Sequence, residues 1–255
     1  MRHLRLERED DLLVITLARG KANALNDELV AELQQALNHA AQDPHARAVV
    51  LTSALPRMFS AGFDVREVFA YDTARMRAFS RAFFRVLDTL RCMPRPVVAA
   101  LTGHTYAAGA AMALLCDIRV MSEGDFGFAL NEVNLGVVMP ARLVRALASE
   151  VPLQTGLSMF LEGHVFKAND AIGAGLVDEL VPAGNVAFRA ATRARDLGNK
   201  PPRAFAAHKR ILVELTGGPP YTDEELDGMV DEFMDVWEGE ESRERRAALL
   251  QQMDR

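Results

Sequence analysis

The stretch from Gly103 to Gly136, GHTYAAGAAMALLCDIRVMSEGDFGFALNEVNLG, constrains this chain more than any other. An apolar strand, Pro96 to Leu101, runs out at Thr102-Gly103, and the small residues Ala107-Ala108-Gly109-Ala110-Ala111 then lead into an apolar helix. A helix start without bulky side chains leaves backbone N–H groups open to a negative group. One carboxylate, Glu132, follows in the apolar setting Ala129-Leu130-Asn131-Glu132-Val133. Backbone donors for an oxyanion and a carboxylate in apolar surroundings are the parts needed to remove a proton beside a carbonyl.

The chain around this stretch repeats strand, small-residue loop, helix. Leu4–Glu7 and Leu12–Leu17 read as strands about a charged turn, and Ala48–Thr52, Val97–Leu101 and Ile118–Met121 as further short apolar strands. Asn26 is placed to cap a helix carrying Leu29, Leu33 and Leu37, and a second helix runs from Thr73 to Met93, where Pro94 and Pro96 end it. Strands separated by helices make a parallel α/β sheet. Parallel strands gather their loop ends, so the loops Ser60–Asp64 and Ala107–Gly109 are expected to converge. Beyond Pro140 the pattern is mostly helical. Acidic residues crowd Asp223–Glu241 with no basic one among them, which reads as a solvated face. The opposite stripe, Leu226, Met229, Val230, Phe233 and Trp237, must bury against something, and a partner subunit is one candidate.

Composition narrows the class. Apolar residues make up 49% of the 255, enough for a sizeable core, and the net charge of −6 with no basic run argues against a nucleic-acid surface. Cys92 and Cys116 lie in apolar-patterned segments, so neither a metal site nor a disulfide framework is expected. The polar start MRHLRLERED lacks the apolar core of a signal peptide, and no apolar run reaches membrane-spanning length, which gives the expectation of a cytoplasmic protein.

The motifs FSAGFD (Phe59–Asp64), AAGAAMALLCDIR, ALNEVNLGVVMP and KANALN (Lys21–Asn26), with Gly175-Leu176-Val177-Asp178 and the helical tail, resemble the enoyl-CoA hydratase/isomerase (crotonase) family over nearly the whole chain. The resemblance implies an α/β fold, a crotonase-like spiral of ββα units over residues 1–190, with a helical C-terminal trimerisation region over 191–255. It implies an acyl-CoA thioester as ligand, coenzyme A being part of the substrate and no separate cofactor or metal being needed. It also implies a homotrimer or dimer of trimers. The thioester oxygen would take hydrogen bonds from the N–H groups of Phe63 and Ala108. Ala108 stands where the family usually has glycine. Lys21, Ala22, Ala24 and Leu25 would face the adenine and pantetheine, with Ser60, Ala61, Gly62 and Asp64 opposite, and Arg66 and Lys209 would meet phosphates. Hydratases of the family use a glutamate three residues after the second amide donor. That position is Ala111 here, whereas LNEVNLG resembles the single-glutamate Δ3,Δ2-enoyl-CoA isomerases, with the glutamate on Glu132.

Plainer readings stand beside these. Glu132 reads first as a surface carboxylate when the resemblance is set aside, Ala107–Ala111 as helix–sheet packing, Asp64 as a helix cap, and Lys209 and Arg210 as solvated charges. His104 and Tyr106 fall near the expected site. Three functions follow: a Δ3,Δ2-enoyl-CoA isomerase, another hydratase- or lyase-type activity of the family relying on Glu132 alone, or a non-catalytic acyl-CoA-binding subunit.

Overall fold

The computed structural model describes residues 1–254. In chain order its elements are β1 (Leu4–Glu9), β2 (Leu12–Leu17), α1 (Asp27–Gln42), β3 (Ala48–Ser53), β4 (Met58–Ser60), α2 (Val65–Val68), α3 (Thr73–Cys92), β5 (Val97–Leu101), β6 (His104–Tyr106), α4 (Ala108–Leu114), β7 (Ile118–Ser122) and β8 (Gly127–Ala129). A 3₁₀ turn, Glu132–Leu135, follows, then α5 (Ala141–Ala148), α6 (Leu153–Glu162), β9 (Phe166–Lys167), α7 (Ala168–Gly173), β10 (Glu179–Val181), α8 (Val186–Gly198), α9 (Pro202–Gly217), α10 (Asp223–Trp237) and α11 (Glu240–Met253).

The strands form a six-stranded sheet, β1-β2-β3-β5-β7-β10, and a four-stranded sheet, β4-β6-β8-β9. All neighbours in the first are parallel except β1–β2, which is a hairpin whose turn places Asp10 at φ 57. Each of the pairs β3/β4, β5/β6 and β7/β8 gives its first strand to the large sheet and its second to the small one. This is the spiral of ββα units expected from the motifs. β3 and β5 are buried at every position, as parallel strands covered on both faces must be. The short strands β4 and β6 lie inside what the sequence reads as loops, because three residues are too few to show an alternation.

Local chemistry fixes the helix starts. The side chains of Asn26, Asp64 and Asp72 accept from the N–H groups of Leu29, Glu67 and Arg75, and Thr222 with Glu225 forms a reciprocal capping box. The division expected at residue 190 falls inside α8, whose buried face of Val186, Ala190 and Ala194 packs with Val50, Val98 and Val120 of the large sheet.

The apolar stripe of α10 needs no second chain. Leu226, Met229, Val230, Phe233 and Trp237 are buried within this one, and α10 lies against α3. The acidic face is also engaged: Arg81 bonds Asp227 and Asp223 at 2.7 and 2.8 Å, Arg85 bonds Asp223 at 2.7 Å, and Arg77 pairs with Asp231. The arginines lie on α3, which explains why no cation appears near the acidic run in sequence.

Packing between the layers is tight at Gly109. A Cβ there would stand 2.7 Å from the Ser60 Cβ and 2.8 Å from the Ser60 carbonyl oxygen. Gly109→Ala is expected to lower stability by about 1–3 kcal/mol, the cost of overpacking a tight interior, measured as a shift in urea midpoint at unchanged slope.

Candidate active site

Two loops meet beneath the small sheet. The loop Ala22–Leu25 is joined to Ala61–Asp64 by backbone bonds from Ala61 N–H to Ala22 O (3.0 Å), Leu25 N–H to Gly62 O (2.7 Å) and Asp64 N–H to Leu25 O (2.8 Å). The last two make Phe63 and Leu25 a parallel bridge, and in such a bridge the central residue's own N–H points to the other edge. That edge faces Ala108. A Cβ on Gly62 would lie 2.8 Å from the Ala107 Cβ and 3.3 Å from the Ala108 nitrogen, and Gly62 has φ +89. The N–H groups of Phe63 and Ala108 have no hydrogen-bond acceptor among the described residues. Ala107, just before Ala108, sits at φ 49 and ψ −124, a sparsely populated conformation for a residue with a Cβ, costing on the order of 1–3 kcal/mol. The two loops expected to converge therefore do so, and both free amides border one cavity.

That cavity has a volume of about 280 Å³. Phe63, Ala108, Ala111 and Glu132 line it, and apart from Tyr106 and Asn131 its remaining walls are apolar. Glu132 is held on its 3₁₀ turn, which Gly136 closes at φ 61. Its Oε2 is sealed from water and has no hydrogen-bond partner among the described residues. Burial pushes its carboxyl up to about 7, while a bond from its own backbone N–H pulls slightly the other way. Ala111, one helical turn beyond Ala108, presents a methyl group to the cavity.

The other expected residues divide. Lys21 is exposed at the outer edge of the loop pair, Ala22, Ala24, Ala61 and Asp64 are half-buried, and Ser60 and Gly62 are buried within it. The Leu25 side chain is fully buried in the core, so only its backbone faces the second loop. Asp64 caps α2 and also pairs with Arg19 at 2.7 Å. Arg66 is exposed, bonding the Met253 carbonyl at 3.2 Å and Asp254 at 2.8 Å. Lys209 does not border the cavity with Glu132. It pairs with Asp117 at 2.8 Å beside a second cavity lined by Cys116, Glu150 and His208. Tyr106 borders the first cavity. Because His104 Nδ1 accepts from Gly127 N–H at 3.0 Å, the Tyr106 hydroxyl is the donor in their 2.8 Å bond.

Sequence reasoning passed over two groups that hold the loops. Asn23, fully buried at φ 46, donates to Ser53 Oγ (2.7 Å) and the Phe59 carbonyl (2.9 Å) and accepts from Arg19 N–H (2.8 Å). Arg19 donates to the Ala24 carbonyl and Asp64, both at 2.7 Å, and to Glu67 at 2.9 Å. Nothing in the local sequence marks either, since most of their partners lie about 30 to 50 residues further along the chain, on Ser53, Phe59, Asp64 and Glu67. The helical tail also supplies unforeseen cavity walls in Phe233, Trp237 and Leu249.

The displaced titration of Glu132 has a consequence for stability. A carboxyl whose folded value stands above its unfolded value of 4.5 favours the fold fully below 4.5, and that contribution is lost as pH rises through about 7. Glu132→Gln removes the ionisation, so the variant is expected to be more stable than the parent at pH 8, with the gap shrinking towards pH 5. Urea unfolding at the two pH values measures this.

The enoyl-CoA hydratase/isomerase family model matches residues 7–247. A carnitinyl-CoA dehydratase of Escherichia coli K12 is 31% identical over 208 residues, covering 82% of this chain and 79% of that protein. The crystal structure of human mitochondrial Δ3,Δ2-enoyl-CoA isomerase superposes with a TM-score of 0.93 at 24% identity, covering 99% of this chain and 98% of that one. An enoyl-CoA isomerase of Mycobacterium tuberculosis gives 0.76 at 26% identity, over 91% and 96% of the two chains. Through the family match and the shared fold, this chain belongs to the enoyl-CoA hydratase/isomerase family.

Proposed function

We propose that this chain is an acyl-CoA isomerase that moves a double bond from Δ3 to Δ2 of an enoyl-CoA through a thioester enolate. The single observation that carries the reading is a lone, unpartnered carboxylate bordering the same cavity as two free backbone amides. In this mechanism the Glu132 carboxylate takes a proton from C2. The electron pair of that C–H bond delocalises onto the thioester oxygen, which accepts from the N–H groups of Phe63 and Ala108. Glu132, now protonated, returns the proton to C4, and the double bond settles between C2 and C3. A carboxyl near pKa 7 suits both halves, because it is a usable base and a usable acid at neutral pH. Losing one such oxyanion donor typically costs about 2.7–4 kcal/mol of barrier.

The alanine at position 111 favours isomerisation over hydration, since no second carboxylate borders the cavity to activate water. The curated relatives named carnitinyl-CoA dehydratase favour a second reading, elimination of water with Glu132 acting alone. An absorbance assay separates them: 3-hexenoyl-CoA should be converted to the conjugated 2-isomer, with 2-hexenoyl-CoA left unhydrated. Turnover should fall as pH drops through about 7, because the base must be ionised. Glu132→Gln should abolish isomerisation and leave acyl-CoA binding near the parent value. Near-normal turnover in that variant would rule the role out.

We propose a homotrimer or dimer of trimers as the assembled form. Leu153, Leu157 and Leu161 make an exposed stripe on α6, and Ile211, Leu212 and Leu215 another on α9, with Leu153 and Leu215 exposed to 78% and 77%. Patches of this kind mark contact surfaces. Light scattering should give the mass of a trimer or of two trimers, and Leu157→Glu with Leu212→Glu should shift it towards the monomer.

A further inference from the structure

The aromatic rings along the cavity form a connected series. Centroid separations are 5.1 Å for Phe63–Phe83, 6.4 Å for Phe83–Phe84, 6.0 Å for Phe84–Phe233 and 5.4 Å for Phe233–Trp237. The series leads from the residue whose amide faces the cavity to the last residue of α10. Trp237 is held there on several sides. Phe233 stacks with it at 26°, Phe69 meets it edge-on at 5.6 Å, and the Arg246 guanidinium lies 3.7 Å from its ring centroid. Arg246 Nη1 also donates to the Trp237 carbonyl at 2.7 Å and to Ser242 Oγ at 2.6 Å.

Arg246 is unusual in its own right. It is 9% exposed and has no carboxylate partner among the described residues, and burial lowers it to about 10, so it remains charged at neutral pH. A buried cation without a counter-charge is costly. What offsets the cost here is contact with one object, the Trp237 ring and its backbone, together with the adjoining turn.

We propose that Trp237, clamped by Arg246, is a fixed stop that limits the acyl chain. On this reading the ligands are acyl-CoA thioesters with hydrocarbon tails of up to about ten carbons, given that a 150 Å³ apolar cavity accepts benzene. The inference rests on the acyl-CoA reading above and adds the limit to it. The volume of about 280 Å³ is close to twice that benzene-sized space and must also hold the thioester carbonyl. A longer tail would have to displace the Trp237 ring, and so would have to break its stack on Phe233 and its contact with the Arg246 guanidinium together. Arg246 acts through Trp237 and is a positioning residue.

The test is calorimetric titration of the 255-residue chain with saturated butanoyl-, octanoyl-, decanoyl-, dodecanoyl- and hexadecanoyl-CoA. These have no double bond to move, so the series reads tail accommodation apart from chemistry. Affinity is expected to rise to decanoyl-CoA and to fall on the order of tenfold by hexadecanoyl-CoA. Trp237→Ala should raise the ratio of hexadecanoyl- to butanoyl-CoA affinity on the order of tenfold, and Arg246→Met should raise it by less. The ratio is insensitive to a general loss of folded protein. Trp237→Leu serves as the second variant if alanine prevents folding. Affinity still climbing at hexadecanoyl-CoA in the parent, or a ratio unmoved in Trp237→Leu, would overturn the stop while leaving the acyl-CoA reading intact. Failure of every acyl-CoA to bind would overturn both.

Discussion

The site depends on how closely two loops pass at Gly62 and Gly109. Any side chain at either position would meet backbone or Cβ atoms of the other loop at under 3 Å. That approach brings the amides of Phe63 and Ala108 to one cavity, although they belong to different strand–loop–helix units. Asn23 and Arg19 then tie the Ala22–Leu25 loop to the segment from Ser53 to Glu67 through four groups: Ser53, the Phe59 carbonyl, Asp64 and Glu67. An oxyanion site built from backbone tolerates little movement, because a donor displaced by an ångström no longer matches the developing charge. Rigid surroundings are therefore part of the chemistry proposed.

The same region carries costs that a purely structural element would avoid. Ala107 holds a positive φ despite its methyl group, both amides lack acceptors, and Glu132 has a sealed oxygen with no partner. Each lowers stability, and each is what a site awaiting a carbonyl oxygen and an acidic C–H would contain. Such features clustered around one cavity are better explained by a ligand than by the fold. The tail helices complete the enclosure: α10 and α11 wall the cavity with Phe233, Trp237 and Leu249, and excluding water there sustains the raised titration of Glu132.

Much of this was legible in the sequence where the determinants are local. The helix caps at Asn26 and Asp64, the apolar strands β3 and β5, and the small-residue run before α4 all announce themselves within a few residues. The convergence of the two loops follows from parallel topology. What the sequence concealed depends on partners distant along the chain. β4 and β6 exist because they pair with each other, and Asn23 matters because of Ser53 and Phe59. The acidic run on α10 is solvated, as its sequence suggests, but the arginines of α3 that pair with it lie about 140 residues earlier in the chain. The stripe on the same helix looks like an interface until it is found buried in its own chain. Lys209 shows the converse, since a cation that looks free on a helix is engaged by Asp117.

The central claim is that one thioester oxygen can meet both amides while Glu132 reaches the adjacent carbons. A crystal structure with unreactive hexanoyl-CoA bound tests it most directly. The carbonyl oxygen is expected about 2.7–3.1 Å from the nitrogens of both Phe63 and Ala108, with the Glu132 carboxylate over C2 and C4. A carbonyl oxygen bonded to neither amide, or an acyl chain running away from Glu132, would contradict it.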